Sequence, residues 1–549
     1  MKNSEKANER RDYCGCIYRL LFGAAAICIF TLISVATASA DNSSQRPIAF
    51  TESGIVIGST TDGGNAFLGI PYAAPPVGAL RWTPPKRYGF FPGFVFQATQ
   101  FGSACTQPGG IGSENCLFLN VYTPLTESGD RRGHGLPVMF WIHGGGLIEG
   151  SSTPYNPERL VKKGVIVVTI NYRLGYLGFF AQSAIDGEGH LNGNYGLMDQ
   201  QFALGWVRRN IASFGGDPDR VTIFGESAGG QSVYAQLASP LASGMFRGAI
   251  SESGSYAEFQ DYFSNIVALV VGETQSTTAV PSGVAIADSV GCTNQTASCL
   301  RAVPASTMVA AEPFPLYPFV DGTLLTQTMG AAFASGEFNH VPVISGTNHD
   351  EYRLFVALDY DLVGNPILTS AEYDTAVATL WGPALAPPVL TLYPFAGYST
   401  GGEGLGASGT DGVFSCAARI ADQSLAKFVP TYTYEFNDEN APPSQSEFGG
   451  LLTFPLGAYH SAEIPYLFKT GNIFGLPELL SPKQRRLSHA MVSYWTQFAK
   501  KGDPNSSGEP LWSPYSASTD EFQSLIPPAP VVESNFDSSH QCSRFWDTF

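Results

Sequence analysis

The sequence predicts an α/β fold with one large, mostly parallel central sheet covered by helices on both faces. Four short apolar runs, Val138–Ile142, Val165–Ile170, Val221–Phe224 and Val341–Ile344, have strand length and no polar alternation. That is the pattern of strands buried on both sides. Helical spacing fills the intervals: within Met198–Ile211, Leu204, Val207 and Ile211 share a stripe, and Met491, Tyr494, Trp495 and Phe498 repeat at i, i+3, i+4 and i+7. Strands that alternate with helices imply a doubly covered sheet. Two of the strands also run directly into glycine-rich segments that carry chemistry.

Composition narrows the function classes. The 549 residues are 44% hydrophobic and 14% charged, which suits a folded chain with a large core and argues against long disorder. Thirty Lys and Arg face 47 Asp and Glu, a net charge of −17. Such a surface repels phosphate backbones, so nucleic acid is a poor partner. No fixed-period repeat or charge block is present. The Gly/Ser/Thr-rich stretch Tyr398–Gly412 and the proline-bearing Asn440–Gln445 read as surface loops. Neither divides the chain, so residues 41–549 are expected to form a single domain.

Residues 1–40 read as a signal peptide. Lys2, Lys6, Arg10, Arg11 and Arg19 precede an apolar run from Leu20 to Ala36, and Ala38-Ser39-Ala40 stands before Asp41. Cleavage after Ala40 would export the protein to an extracellular or periplasmic space. The run exceeds the usual length of roughly 7–15 residues, so membrane attachment is expected only if it stays uncleaved. Of nine cysteines, Cys14, Cys16 and Cys28 lie in this segment, which leaves six. An even number suits an oxidising compartment, although spacing alone does not choose among the pairings. Beyond the leader there is no C-x-x-C or H-E-x-x-H, so neither a metal nor a cofactor is expected.

The strongest chemical signal is Val221-Thr-Ile-Phe-Gly225-Glu226-Ser227-Ala228-Gly229-Gly230. A strand entering G-x-S-x-G and then a helix over Gln231–Ala238 is the setting of a nucleophile elbow. A serine hydroxyl barely ionises at neutral pH, so it needs a base, a carboxylate to orient that base, and N–H donors for the oxyanion. His143-Gly144-Gly145-Gly146-Leu147, after the strand Val138–Ile142, has the form of an oxyanion segment. The donors expected are the N–H groups of Gly145, Gly146 and Ala228. Five histidines follow Ser227, and His460 lies in a Gly/Pro-punctuated loop, Phe454–Glu463, suited to a loop-borne base. For the acid, the strand Val341–Ile344 leads into Asp350-Glu351, and the residues themselves leave both open.

These motifs resemble those of type-B carboxylesterases, a branch of the α/β-hydrolases that includes cholinesterases and fungal lipases. The resemblance runs from Phe67-Leu-Gly-Ile-Pro-Tyr72 to the last residues. It includes Ser113-Glu114-Asn115-Cys116-Leu-Phe-Leu-Asn120, Asn171-Tyr-Arg173 and Gly193-Asn-Tyr-Gly196-Leu-Met-Asp199. Asn115 departs from the usual Asp, and Leu147 stands where many members have Phe. The resemblance implies Glu351 rather than Asp350 as the acid and supports His460 as the base. It also implies Arg81–Glu114 and Arg173–Asp199 as structural ion pairs, and the bridges Cys105–Cys116, Cys292–Cys299 and Cys416–Cys542.

The function so implied is an exported serine hydrolase of carboxylic esters that acts on a small-molecule ester through an acyl-enzyme, without a cofactor. The alternatives are a lipase acting on acylglycerols, a cholinesterase, or a non-catalytic binding protein of cholinesterase type. Binding relatives often lack the nucleophile, whereas Ser227, Glu351 and His460 are all present here. The loop Thr106–Asn115 discriminates among the enzymes. It has ten residues, three of them glycine, one Ile and no aromatic ring. It can form neither an amphipathic lid nor a ring face for a choline cation. Small or dispersed esters are therefore expected as substrates, and the rate on tributyrin should saturate smoothly through its solubility limit. A sharp rise once droplets form would favour the lipase.

Overall fold

Eleven strands form the central sheet of the computed structural model, which describes residues 46–125, 135–190, 193–255, 280–310, 316–470 and 479–548. The expected signal peptide and its cleavage site lie outside the described residues. In chain order the strands are β1 (Ser59–Thr61), β2 (Gly64–Pro71), β3 (Phe118–Thr123), β4 (Leu136–Ile142), β5 (Ile166–Ile170), β6 (Gly216–Glu226), β7 (Gly248–Glu252), β8 (Val343–Asn348), β9 (Thr431–Phe436), β10 (Phe522–Leu525) and β11 (Val531–Glu533). Across the sheet they run β11-β10-β9-β8-β7-β6-β4-β5-β3-β2-β1. The seven from β10 to β5 are parallel. The flanking pairs are antiparallel.

All four predicted runs are strands of this sheet. The third begins earlier than expected and runs on to Glu226, next to Ser227. The fourth starts at Val343 rather than Val341, since Pro342 has no N–H to offer a ladder; its carbonyl instead accepts from Ala249. That strand continues through polar residues to Asn348, which brings the chain up to Glu351.

Alternation along each strand feeds two separate cores. In β4, Val138, Phe140 and Ile142 enter one core, and Met139 and Trp141 enter the other. The helices Tyr195–Asn210 and Ala228–Ala238 cover the first face through Leu204, Val207, Val233 and Leu237. The helix Pro482–Lys501 covers the second with Met491, Tyr494, Trp495 and Phe498. Burying an aliphatic or aromatic side chain of this size contributes about 1.5–3 kcal/mol. This double burial is why the strand sequences carry no polar alternation.

The stretch Tyr398–Gly412 is not a surface loop. Gly401–Gly409 is a helix capped by Thr400, whose side chain accepts from the Glu403 N–H. It passes through a π-turn at Thr410–Ser415 into the helix Cys416–Leu425. Most of its glycines are buried because other side chains occupy the space where a Cβ would stand. A Cβ on Gly409 would lie 2.2 Å from Tyr352, and one on Gly412 2.4 Å from Trp381. Here glycine permits close packing of a helix rather than flexibility.

This helical segment anchors the C-terminus. Cys416 is bridged to Cys542. His540 Nδ1 lies 2.6 Å from Asp411 and Nε2 2.5 Å from Glu435, while His349 lies 3.0 Å from the same Glu435 oxygen. Burial alone would lower the pKa of His540, but the two carboxylates outweigh it and raise it to about 10. The other expected bridges, Cys105–Cys116 and Cys292–Cys299, also form. Both expected ion pairs are bidentate: Arg81 meets Glu114 at 2.6 Å through each nitrogen, and Arg173 meets Asp199 at 2.7 and 2.8 Å.

The bridges close loops of different length, with separations of 126, 11 and 7 residues. In a chain-entropy treatment these contribute roughly 5, 3 and 2 kcal/mol. Replacing Cys416 and Cys542 together with Ala should therefore lower the guanidinium midpoint more than removing either short bridge. A larger loss on removing Cys105–Cys116 would contradict this ranking.

Candidate active site

Strand β6 reaches Glu226, and the next helix begins at Ala228, so Ser227 alone makes the turn. It does so at φ 56° and ψ −126°, a backbone strain on the order of 1–3 kcal/mol. Two glycines make the turn possible. A Cβ on Gly225 would lie 2.6 Å from the carbonyl group of Gly229, and one on Gly229 would lie 2.0 Å from the carbonyl oxygen of Ile142. The turn is held by the Ser227 N–H, which donates to the Glu252 carbonyl at 2.9 Å.

The end of β4 delivers the second segment to the same place. A Cβ on Gly144 would stand 3.0 Å from that of Ser227, so these two stretches of backbone touch. Gly145 and Gly146 have φ of 101° and 60°. Beneath them the His143 ring stacks on Tyr172 at 4.4 Å, and its Nδ1 meets the Gly144 carbonyl at 2.8 Å. Burial lowers the pKa of His143 to about 4, so this imidazole is neutral and structural. Among the described residues, the N–H groups of Gly145, Gly146 and Ala228 have no acceptor. Three free donors next to a serine can hold an oxyanion.

The expected acid and base, Glu351 and His460, come from two loops. His460 Nδ1 lies 2.6 Å from Glu351 Oε2. The other carboxylate oxygen accepts from Thr347 Oγ1 at 2.8 Å and from the Asn348 N–H at 2.7 Å. Asn348 ties the loops together, since its Nδ2 donates to the Tyr459 carbonyl at 2.8 Å and to Glu463 at 2.6 Å. Asp350 faces elsewhere: it accepts from the Ala458 N–H at 2.9 Å and pairs with Arg353 at 3.0 Å. Of the two neighbours Asp350 and Glu351, it is Glu351 that meets His460. Phe355 and Phe414 lie on His460 with ring centroids 5.1 Å away in each case.

The other ring nitrogen of His460 faces the serine elbow. Nε2 lies 3.3 Å from Oε1 of Glu226, the residue before Ser227, and accepts or donates no hydrogen bond among the described residues. Away from this site, ligand-type atoms of His349, Glu435 and His540 come within 4.8 Å of one another. The hydrogen bonds of that cluster are already made within the protein, so it reads as an ion-pair network rather than an open ligand set.

Residues 45–543 match the model of the carboxylesterase family. The chain belongs to the carboxylesterase family. It is 35% identical over 508 residues to the acylcarnitine hydrolase of Mus musculus, covering 86% of each chain. It is 34% identical over 503 residues to the para-nitrobenzyl esterase of Bacillus subtilis, covering 86% of this chain and 94% of that one. A solved PNB esterase structure superposes with a TM-score of 0.74 at 32% identity, covering 91% of this chain and all of the other. The protein is accordingly an α/β-hydrolase and a carboxylic-ester hydrolase.

The carboxylesterase site also holds residues that motif reading passed over. Behind Ser227 and His460 stand three further buried carboxyl groups, Glu226, Glu252 and Glu463. Burial raises the pKa of all three, Glu463 to about 8. Burial works against protonated His460, but the charges of Glu226 and Glu351 outweigh it and raise its pKa. Glu226 stands inside the G-x-S-x-G motif, and Glu463 is three residues after His460. Their positions in sequence could have singled them out, but only proximity gives them an electrostatic role.

Removing the Glu226 charge should make His460 harder to protonate. The acidic limb of the kcat/KM–pH profile reports that protonation in the free enzyme. Glu226→Gln should therefore move this limb to lower pH, on the order of one pH unit. An unmoved limb would mean that Glu226 already carries a proton throughout the working range.

Proposed function

We propose that this carboxylesterase is exported and hydrolyses small or dispersed esters through an acyl-enzyme on Ser227. The observation that carries the reading is the convergence at one elbow of a strained serine, three free N–H donors and an imidazole fixed by a buried carboxylate. In this reading His460 Nε2 takes the proton of Ser227 as Oγ attacks the ester carbonyl, and Glu351 keeps Nδ1 protonated and supports the imidazolium. The N–H groups of Gly145, Gly146 and Ala228 take up the oxyanion; losing one such donor typically costs about 2.7–4 kcal/mol. His460 then protonates the leaving alcohol, and water repeats the sequence on the acyl-enzyme.

The size class rests on the short Thr106–Asn115 loop, which has no lid and no ring. The name of the para-nitrobenzyl esterase, which points to esters of a small aromatic alcohol, agrees with it. Export rests on the 1–40 segment and on three disulfide bridges, which persist in oxidising compartments.

A turnover screen of p-nitrophenyl esters by chain length tests the reading, with Ser227→Ala alongside. The wild type should turn over short acyl chains, and the variant should lose turnover by several orders of magnitude while keeping its circular dichroism. Residual turnover close to wild type would remove Ser227 from the chemistry.

A further inference from the structure

The turn that carries the oxyanion glycines also carries an acid. After Gly145 and Gly146 come Leu147 and Ile148, both buried, then Glu149, which is exposed. The Gly145 carbonyl accepts from the N–H groups of both Ile148 and Glu149 at 3.0 Å, which closes the turn. A Cβ on Gly145 would lie 3.1 Å from Glu149 Cγ, so the side chain of Glu149 starts out against the α-carbon of Gly145. The following residue is fixed as well. Gly150 exchanges two hydrogen bonds with the side chain of Gln107, at 2.9 and 3.0 Å, from the loop closed by Cys105–Cys116. The backbone on either side of Glu149 is thus held in place.

The carboxylate itself is unpaired. No hydrogen bond or ion pair to it occurs among the described residues. Solvent reaches it, yet surrounding protein still raises its pKa by desolvation. Its side chain leaves the same turn that carries Gly145 and Gly146, with Cγ against the α-carbon of Gly145. An anion there has a chemical consequence. Hydrolysis of an uncharged ester develops negative charge at the N–H groups of Gly145, Gly146 and Ala228, and an ionised Glu149 repels it. A substrate that brings its own cation converts that repulsion into attraction.

We infer that Glu149 determines substrate specificity and that its carboxylate recognises a protonated amine on the ester. The inference rests on the reading of Ser227 as the nucleophile. A carboxylate accepts hydrogen bonds, so it favours an ammonium that carries N–H over a quaternary one. The adjacent Thr106–Asn115 loop has no ring to hold a quaternary cation by its face. The net charge of −17 draws cations towards the molecule from a distance.

Matched pairs of esters test this. On the alcohol side they are 2-(dimethylamino)ethyl and 3-methylbutyl thiobutyrate; on the acyl side, p-nitrophenyl 4-(dimethylamino)butyrate and 5-methylhexanoate. The wild type should prefer the amine in at least one pair, by on the order of tenfold in kcat/KM, and less so in 0.5 M salt. Glu149→Gln should lower kcat/KM on the amine and raise it on the uncharged ester. Glu149→Asp should retain part of the preference. Opposite signs on the two substrates separate recognition from damage to the turn, which would lower both together. Equal wild-type rates within both pairs, a preference that survives Glu149→Gln, or parallel losses would each overturn the assignment. Uncharged esters and Ser227→Ala serve as the control for the underlying reading. Full turnover by Ser227→Ala removes that reading, whereas a Ser227-dependent enzyme without an amine preference removes only Glu149.

Discussion

The site depends on one close approach of backbone to backbone. The first turn of the helix Ala228–Ala238 sits so near the end of β4 that a Cβ on Gly229 would fall 2.0 Å from the Ile142 carbonyl oxygen. Because of this contact, the strand that supplies Ser227 and the strand that supplies Gly144–Gly146 end within touching distance. Parallel pairing of β6 with β4 keeps both C-terminal ends at the same edge of the sheet. A side chain at Gly225 or Gly229 would separate them, and the N–H groups of Gly145, Gly146 and Ala228 would no longer converge.

Electrostatics then shapes what the convergence can do. One imidazole, His460, is surrounded by the buried carboxyls of Glu226, Glu351 and Glu463, with Glu252 behind Ser227. Only Glu351 is both within hydrogen-bond reach of the ring and provided with donors from Thr347 and Asn348. The others face burial with fewer donors, and burial favours their protonated forms. Burial thus opposes charge on these carboxyls, while the carboxylates beside His460 raise its affinity for a proton.

Much of this was legible because it is local. A strand, a serine between glycines and a helix are consecutive in sequence, and so are β4 and its three glycines. The double burial of the sheet shows in apolar runs such as Val138–Ile142. What failed was the reading of Tyr398–Gly412 as a surface loop. Composition is ambiguous there, because glycine serves a flexible turn and a closely packed helix equally well. Tyr352 and Trp381, which explain Gly409 and Gly412, are distant in the chain and invisible to a local reading.

By itself the sequence determined the class of fold, and it pointed to a serine at a strand-to-helix turn, a glycine-rich segment after a second strand, and a short set of histidines and acids as candidates for a base and its partner. Each of these follows from periodicity or from motifs a few residues long. Only the tertiary structure decided which oxygen meets which nitrogen. Asp350 and Glu351 are neighbours with the same charge, yet one pairs with Arg353 and the Ala458 N–H while the other reaches His460 at 2.6 Å. The crowding of carboxyls around His460 was likewise decided by packing. The physical reason is distance: the hydrogen bonds and Coulomb interactions that set these roles act over a few ångströms between residues about a hundred positions apart.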